Sequence, residues 1–179
     1  QRQMCIRDRY TNVNYPFPYN PPYVPNQNPT YHYRKKFDLK KADQKYYLNF
    51  EGVDSCFYLY VNDRFVGFSQ IAHRQSEFDV TDYLTDGENK LDVLVLKWCM
   101  GSYLEDQDKL RFTGIFRDVY LLSRPAGHVV DYKIQTALDG TVTFTLLDGI
   151  EATVSLLGEE KKVSAGKTVT FKVKDPILW

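Results

Sequence analysis

Phe57-Tyr58-Leu59-Tyr60-Val61-Asn62-Asp63-Arg64-Phe65-Val66-Gly67-Phe68 is the stretch that decides the fold class. Side chains alternate between the two faces of a strand, so Phe57, Leu59 and Val61 share one face. The run breaks at Asn62-Asp63, residue types that tolerate the positive φ a tight turn between twisted strands demands, and Arg64 to Phe68 returns as a second strand. The stretch predicts a β-hairpin.

The same period extends outward from it. Tyr46, Leu48 and Phe50 fall on one face, as do Tyr31, Tyr33, Phe37 and Leu39, with His32, Arg34, Lys36 and Asp38 opposite, which predicts half-buried strands. From Lys90 to Trp98 both faces are apolar, with Leu91, Val93 and Val95 opposite Leu94 and Leu96, which predicts a strand covered on both sides. Arg117 to Leu122 reads as one more strand, and no window sustains a helical period. Past Arg124-Pro125-Ala126-Gly127 the aromatics thin out. Val129 to Ala137, Thr141 to Leu147, Ala152 to Leu157 and Thr168 to Val173 alternate there, with turns at Asp139-Gly140, Asp148-Gly149 and Gly158. The expected fold class is all-β: an antiparallel sandwich over residues 31–125, then an immunoglobulin-like sandwich over residues 126–179. The second is expected to be incomplete, with an open edge.

Composition excludes several classes of partner. The 179 residues carry 23 basic and 23 acidic side chains, so no net charge supplies the counterion release that drives nucleic-acid binding. No apolar run approaches the roughly 20 residues of a membrane-spanning helix. Fourteen Tyr and eleven Phe mark a chain with a real core rather than a disordered one. Cys5, Cys56 and Cys99, like His32, His73 and His128, lack the spacing of a zinc site or a disulfide framework.

Both ends read as boundaries of a fragment. Gln1 to Arg9, QRQMCIRDR, has no apolar or periodic content and matches one reading frame of a transposase sequencing adaptor, so residues 1–9 are expected to be an artefact of library preparation. Asp175-Pro176-Ile177-Leu178-Trp179 has no polar tail, and the chain is expected to continue. With the native start missing, the compartment stays open between bacterial cytoplasm and periplasm. Residues 10–30 hold six of the eight prolines, which forbids a helix or central strand, and the interleaved Tyr10, Tyr15, Phe17, Tyr19 and Tyr23 predict an extended arm pressed onto a surface.

The densest polar cluster lies between the two strongest strands. Cys99-Met100-Gly101-Ser102-Tyr103-Leu104-Glu105-Asp106-Gln107-Asp108 reads as a long loop with three carboxylates in four positions, followed by Arg111 and Arg117. A solvated acidic turn neutralised by the arginines is one reading. An EF-hand fails, because counting from Asp106 puts Arg117 at the twelfth position, where a bidentate glutamate is required. A glycosidase acid pair suits the cluster poorly, since neighbouring carboxylates on one loop lack separate environments to push their pKa values apart. Coordination of a hard cation or hydrogen bonds to sugar hydroxyls fit better.

Four motifs then point to a family. Tyr15-Pro16-Phe17-Pro18-Tyr19-Asn20-Pro21-Pro22-Tyr23-Val24-Pro25, Phe50-Glu51-Gly52-Val53-Asp54-Ser55, Gly101-Ser102-Tyr103-Leu104-Glu105-Asp106-Gln107-Asp108 and Gly114-Ile115-Phe116-Arg117-Asp118-Val119 resemble, in order and spacing, the N-terminal region of bacterial beta-galactosidases of glycoside hydrolase family two. The resemblance runs from about Tyr10 to the end. It implies a jelly-roll sugar-binding domain followed by the start of an immunoglobulin-like domain. It further implies retaining hydrolysis of terminal beta-galactosides by two glutamates on a later barrel domain, so that no catalytic residue lies in this chain. By motif position Asn20 resembles a residue that contacts a sugar hydroxyl, and Asp108 one that binds sodium and the galactose 6-hydroxyl. Glu105, Asp106 and Arg117 are expected to hold the loop behind them. Magnesium is expected in the parent through domains absent here, as is a homo-oligomeric parent, and the implied partners are the beta-galactoside and the remaining domains of the same chain. Cys99-Met100 and Lys109-Leu110 replace the Ser-Asp and Met-Trp of many relatives. Two rival readings are a free-standing carbohydrate-binding module with aromatic platforms, and the same region of a beta-glucuronidase or beta-mannosidase.

Overall fold

The central hairpin forms where the alternation places it. Strands Cys56–Val61 and Arg64–Ser69 pair antiparallel, and Asn62 and Asp63 take φ of 50° and 62°, the left-handed pair that joins strands of right-handed twist. Asn62 also ties the turn to its neighbours. Its amide donates to Asn89 Oδ1 at 2.8 Å and to the Tyr83 carbonyl at 2.9 Å, while the Lys90 N–H donates to Asn62 Oδ1 at 2.8 Å.

The computed structural model describes residues 9–10, 17–105 and 110–177. Most of the adaptor-like stretch, with Cys5, and the residues Asp106 and Asp108 therefore lie outside the described residues. In chain order the strands are β1 (Arg9–Tyr10), β2 (Thr30–Leu39), β3 (Gln44–Phe50), β4 (Val53–Asp54), β5 (Cys56–Val61), β6 (Arg64–Ser69), β7 (Ser76–Asp79) and β8 (Gly87–Leu96). One helical turn, α1 (Gly101–Leu104), precedes β9 (Leu110–Arg111), β10 (Gly114–Ile115) and β11 (Val119–Pro125). Then come β12 (Val129–Thr136), β13 (Thr141–Gly149), β14 (Ala152–Leu156), β15 (Glu159–Val163) and β16 (Thr168–Lys172). The chain divides into two compact units at Ser123/Arg124.

The first unit is a β-sandwich. Its sheets run β2-β8-β5-β6 and β11-β3-β7, with the short pairs β10-β4 and β1-β9 beside them. The predicted alternation is what fills the space between the sheets: Tyr46, Leu48 and Phe50 from β3 meet Phe57, Leu59 and Val61 from β5 and Val93 and Val95 from β8. Each such side chain contributes roughly 1.5–3 kcal/mol by leaving water. Gly67 of β6 is part of this packing, because a Cβ there would sit 2.6 Å from the Phe78 ring.

The outer face of β8 differs from expectation. Leu94 and Leu96 are only half-buried, and Asp92 beside them is buried with an ion-paired carboxylate, while on the core side Val93 and Val95 are buried and Leu91 is half-buried. His32 Nε2 lies 2.5 Å from Asp92 Oδ1, and Arg34 Nε donates to the same oxygen at 2.7 Å. Burial pushes the Asp92 carboxyl up, but the hydrogen bonds from Arg34 and His32 outweigh it and hold the group below the ordinary carboxylate range.

The second unit pairs β12-β13-β16 as one sheet and β14-β15 as a separate ribbon. Leu146, Val163 and Phe171 are its buried apolar residues. Strand β15, Glu-Glu-Lys-Lys-Val, was not expected from the alternation, because four consecutive charged residues carry no hydrophobic period.

Candidate functional site

The proline-rich arm is pressed onto the protein at three points. Phe17 is buried edge-on against Trp98 and Tyr103, with ring centres 4.9 and 5.2 Å apart. Asn28 clasps the backbone of Trp98, its amide donating to the carbonyl at 2.8 Å while its oxygen accepts from the N–H at 2.9 Å, and the Lys97 N–H donates to the Pro29 carbonyl at 2.9 Å. Between these ends, the Tyr103 hydroxyl accepts from the Asn20 N–H at 3.2 Å and donates to the Tyr23 carbonyl at 2.6 Å. The Tyr23 N–H closes a turn onto the Asn20 carbonyl at 2.9 Å. The backbone of Asn20 is thereby fixed on both sides, and its side-chain amide, on an exposed residue, makes no hydrogen bond among the described residues. Tyr19 and Tyr23 flank it as exposed rings.

Tyr103 belongs to the stretch expected as a loop, and here the structure corrects the sequence reading. Gly101–Leu104 is a helical turn whose Gly101, Ser102 and Tyr103 are buried. Four residues are too few for a helical period to show, and the burial comes from neighbours far away in sequence. The Arg111 guanidinium, itself buried, donates to the Ser102 carbonyl at 2.8 Å. Ser55 Oγ donates to Cys99 Sγ at 3.3 Å, and Ser102 Oγ lies 3.3 Å from Ser55 Oγ and accepts from the Cys99 N–H at 3.1 Å. The interaction with Cys99, then burial, pushes the Cys56 thiol far above its ordinary range, and the same interaction draws the Cys99 thiol down.

Glu105 closes the turn. Its backbone N–H donates to the Gly101 carbonyl at 3.0 Å, and its carboxylate accepts from the Ala72 N–H at 3.0 Å. Arg117 stands elsewhere: it is exposed, its guanidinium lies 5.5 Å from the Phe116 ring centre, and its N–H donates to the Gly52 carbonyl at 3.4 Å. The structure ties Asn20 to the Tyr103 hydroxyl and the Glu105 carboxylate to Ala72, leaves Arg117 with Gly52 and Phe116, and shows as supports Tyr103, to which the sequence reading gave no role, and Arg111, read there only as a countercharge. Arg111 had a signal, a cation three residues behind the last carboxylate, shared with Lys109. Tyr103 had none, being one tyrosine among fourteen.

The four motifs dock in two pairs. The first meets the third through Tyr103. The second meets the fourth through β4 and β10, where Gly114 pairs with Asp54 and Ile115 with Val53, and Gly52 leaves room for Phe116, whose ring would be 2.7 Å from a Cβ at that position. Ser55 joins the two pairs, its Oγ accepting from Ser102 Oγ at 3.3 Å. What this arrangement can do chemically is present an amide that both donates and accepts, on a backbone hydrogen-bonded at its N–H and its carbonyl. Among the described residues no three His, Cys, Asp or Glu side chains converge to hold a metal. A hard cation at this end of the unit would draw on the carboxylates of the following acidic residues, whose oxygen chemistry suits it.

The model of the glycosyl hydrolases family 2 sugar binding domain matches residues 1–125. The beta-galactosidase of Actinobacillus pleuropneumoniae is 61% identical over 73% of this chain, and that of Staphylococcus xylosus 45% identical over 96% of it. The chain spans only 13% and 19% of those two proteins. Among solved structures, a Bacteroides uniformis beta-glucuronidase matches 85% of the chain and a Faecalibacterium prausnitzii beta-glucuronidase 83%, each with a TM-score of 0.61, at 20% and 18% identity. The chain covers 22% and 32% of those structures, and the likeness is one of fold.

Proposed function

The chain belongs to glycosyl hydrolase family 2, and from that premise we propose that it is the N-terminal portion of a beta-galactosidase, contributing substrate contacts to a site whose catalytic glutamates lie elsewhere in the parent. The observation that carries this reading is the 61% and 45% identity to beta-galactosidases, against about 20% for the beta-glucuronidases that share the fold. The geometry agrees with it. Asn20 is offered to solvent on a clamped backbone, and Tyr103 links it to the turn that runs into Asp106 and Asp108.

In this role the Asn20 amide donates to and accepts from a sugar hydroxyl, and the ionised Asp108 accepts a hydroxyl proton or ligates sodium. Bound sodium would supply a fixed positive charge to which a hydroxyl oxygen can turn. Glu105 and Asp106 support these contacts, Arg117 is left out of the site because it lies with Gly52 and Phe116, and magnesium, the further domains and self-association belong to the parent.

The test uses both chain and parent. The purified 179-residue chain should not hydrolyse a chromogenic beta-galactoside, and the parent should hydrolyse it in preference to the matching beta-glucuronide. Asp108→Asn in the parent should abolish the sodium response and raise KM. Steady turnover by the fragment, or an undiminished sodium response in that variant, would remove the assignment.

A further inference from the structure

Strand pairing brings together two thiols that no spacing in the sequence announces. Cys56 opens β5 opposite Leu96 at the end of β8, and the Ser55 N–H donates to the Leu96 carbonyl at 3.2 Å. Just past Leu96 the chain turns back toward this point. Cys99 Sγ lies 3.3 Å from Ser55 Oγ and 4.0 Å from the Ser55 carbonyl oxygen, on the peptide that leads into Cys56. Both cysteines carry free thiols, and the two side chains interact directly. Among the described residues no third thiol, imidazole or carboxylate converges with them into a metal-ligating group, so the chemistry open to the pair is their own oxidation.

A cysteine buried among apolar side chains is an inert small hydrophobe. Cys99 has different neighbours. Ser55 Oγ donates to its sulfur, Ser102 Oγ lies 4.0 Å from that sulfur, and the same Ser102 hydroxyl accepts from the Cys99 N–H at 3.1 Å. The interaction with Cys56 draws the Cys99 thiol down, burial opposes it, and the hydrogen bonds of Ser55 and Ser102 add to the lowering. The thiolate is the nucleophilic form, so Cys99 is the sulfur that attacks and Cys56, which keeps its proton, is the one that resolves. Access runs in the same order. Cys99 retains 7% exposure beside the exposed Met100, against 3% for Cys56, and hydrogen peroxide is little larger than water.

We propose that Cys56 and Cys99 are a redox couple that hydrogen peroxide closes into an intramolecular disulfide, bracing β5 against the α1 turn. The Cys99 thiolate attacks one peroxide oxygen, the O–O bond breaks, and the other oxygen takes up a proton and leaves as water. The Cys56 sulfur then attacks the Cys99 sulfenic acid: the S–S bond forms, the S–O bond breaks, and the hydroxyl departs with the Cys56 proton as a second water. Two thiols have lost two electrons, and the peroxide has gained them. Cys99 runs directly into the turn that carries Tyr103, whose hydroxyl fastens the arm bearing Asn20, so the bridge closes a covalent ring behind that arm. The serine that many relatives carry at position 99 cannot close it, and the couple does not depend on which glycoside the parent cleaves.

The test treats the full-length parent with hydrogen peroxide, unfolds it in N-ethylmaleimide to trap remaining thiols, and maps the peptides by mass spectrometry. The expected product is a peptide pair joined through Cys56 and Cys99, lighter by two hydrogens than the separate peptides and parted by dithiothreitol. Recovery of both cysteines as maleimide adducts, or bridged only to cysteines elsewhere, overturns the proposal. The order of attack is read from single variants with dimedone, which captures sulfenic acids. Cys56→Ser should raise capture at Cys99 several-fold over the native parent, and Cys99→Ser should leave Cys56 unlabelled; capture at Cys56 in the latter variant overturns the assigned order. Hydrogen exchange needs no variant. Amides of residues 99–104 should exchange about tenfold or more slowly in the oxidised parent than in the reduced one, because opening the turn then works against a closed covalent loop, and equal exchange overturns the bracing. Loss of beta-galactoside hydrolysis does not enter any of these readouts, so failure of the functional assignment stays separable.

Discussion

The two units solve the same packing problem with unequal means. The first buries Tyr46, Phe50 and Phe57 with six or more aliphatic side chains between two sheets, and among the described residues the second buries only the apolar side chains of Leu146, Val163 and Phe171. On the second, Val130, Tyr132 and Ile134 of β12 are each more than half exposed. Both are all-β, with alternating strands and turns of the same chemistry, so local pattern does not separate them. What separates them is how much aromatic volume each can place between its layers, and the functional side chains sit on the unit with the larger core. A rigid scaffold is what allows Asn20 to be held by its backbone alone.

Removing one large side chain from each core would sharpen this contrast most. Phe57→Ala should cost about 3–5 kcal/mol by leaving a cavity the two sheets cannot collapse, and urea titration should show the first unit losing its cooperative transition. If Phe57→Ala were no more costly than Phe171→Ala, the inequality of the two cores would be broken.

Charge burial provides the next test. Asp92→Asn should cost about 1–2 kcal/mol at neutral pH, because a nearly buried carboxylate loses its pairing with Arg34 and His32. The folded carboxyl titrates below its unfolded value, so its stabilisation is complete above about pH 4 and is lost as pH falls through the folded pKa. The native protein and the variant should therefore converge in thermal stability in strong acid. A constant difference from neutral pH downward would contradict the pairing.

A smaller effect is expected at the arm. Tyr103→Phe keeps the ring packing with Phe17 but removes the hydroxyl that joins Asn20 to Tyr23, at about 1 kcal/mol. Limited proteolysis should then cut residues 17–29 faster, and in the parent KM should rise more than kcat falls. The least effect belongs to the second unit: Lys172→Ala removes an exposed pair with Asp139 and should leave the urea midpoint unchanged within error.

Some of the molecule was legible before any coordinates. Asn62-Asp63 announces its turn because so few residues accept two successive positive φ values, and Tyr46, Leu48 and Phe50 announce their shared buried face because apolar residues recur there at period two. Ser76–Asp79 did not announce itself, being too short to show a period, with Phe78 alone turned inward against Phe50 and Phe57. Glu159–Val163 was hidden by its charges. At the site, Asn20 and Glu105 were visible as residue types in motifs, whereas Tyr103 gained its role from partners 80 to 85 residues away and Arg111 from the Ser102 carbonyl.

The sequence by itself determined the all-β class, the turn positions, the split near residue 124 and the family, since each is written in alternation, local φ preference, composition or motif order over short spans. Only the tertiary structure decided that the acidic stretch begins as a buried helical turn and that one tyrosine hydroxyl fastens the arm carrying Asn20. These depend on contacts between segments far apart in the chain, where the geometry of approach, absent from any local pattern, sets which groups meet.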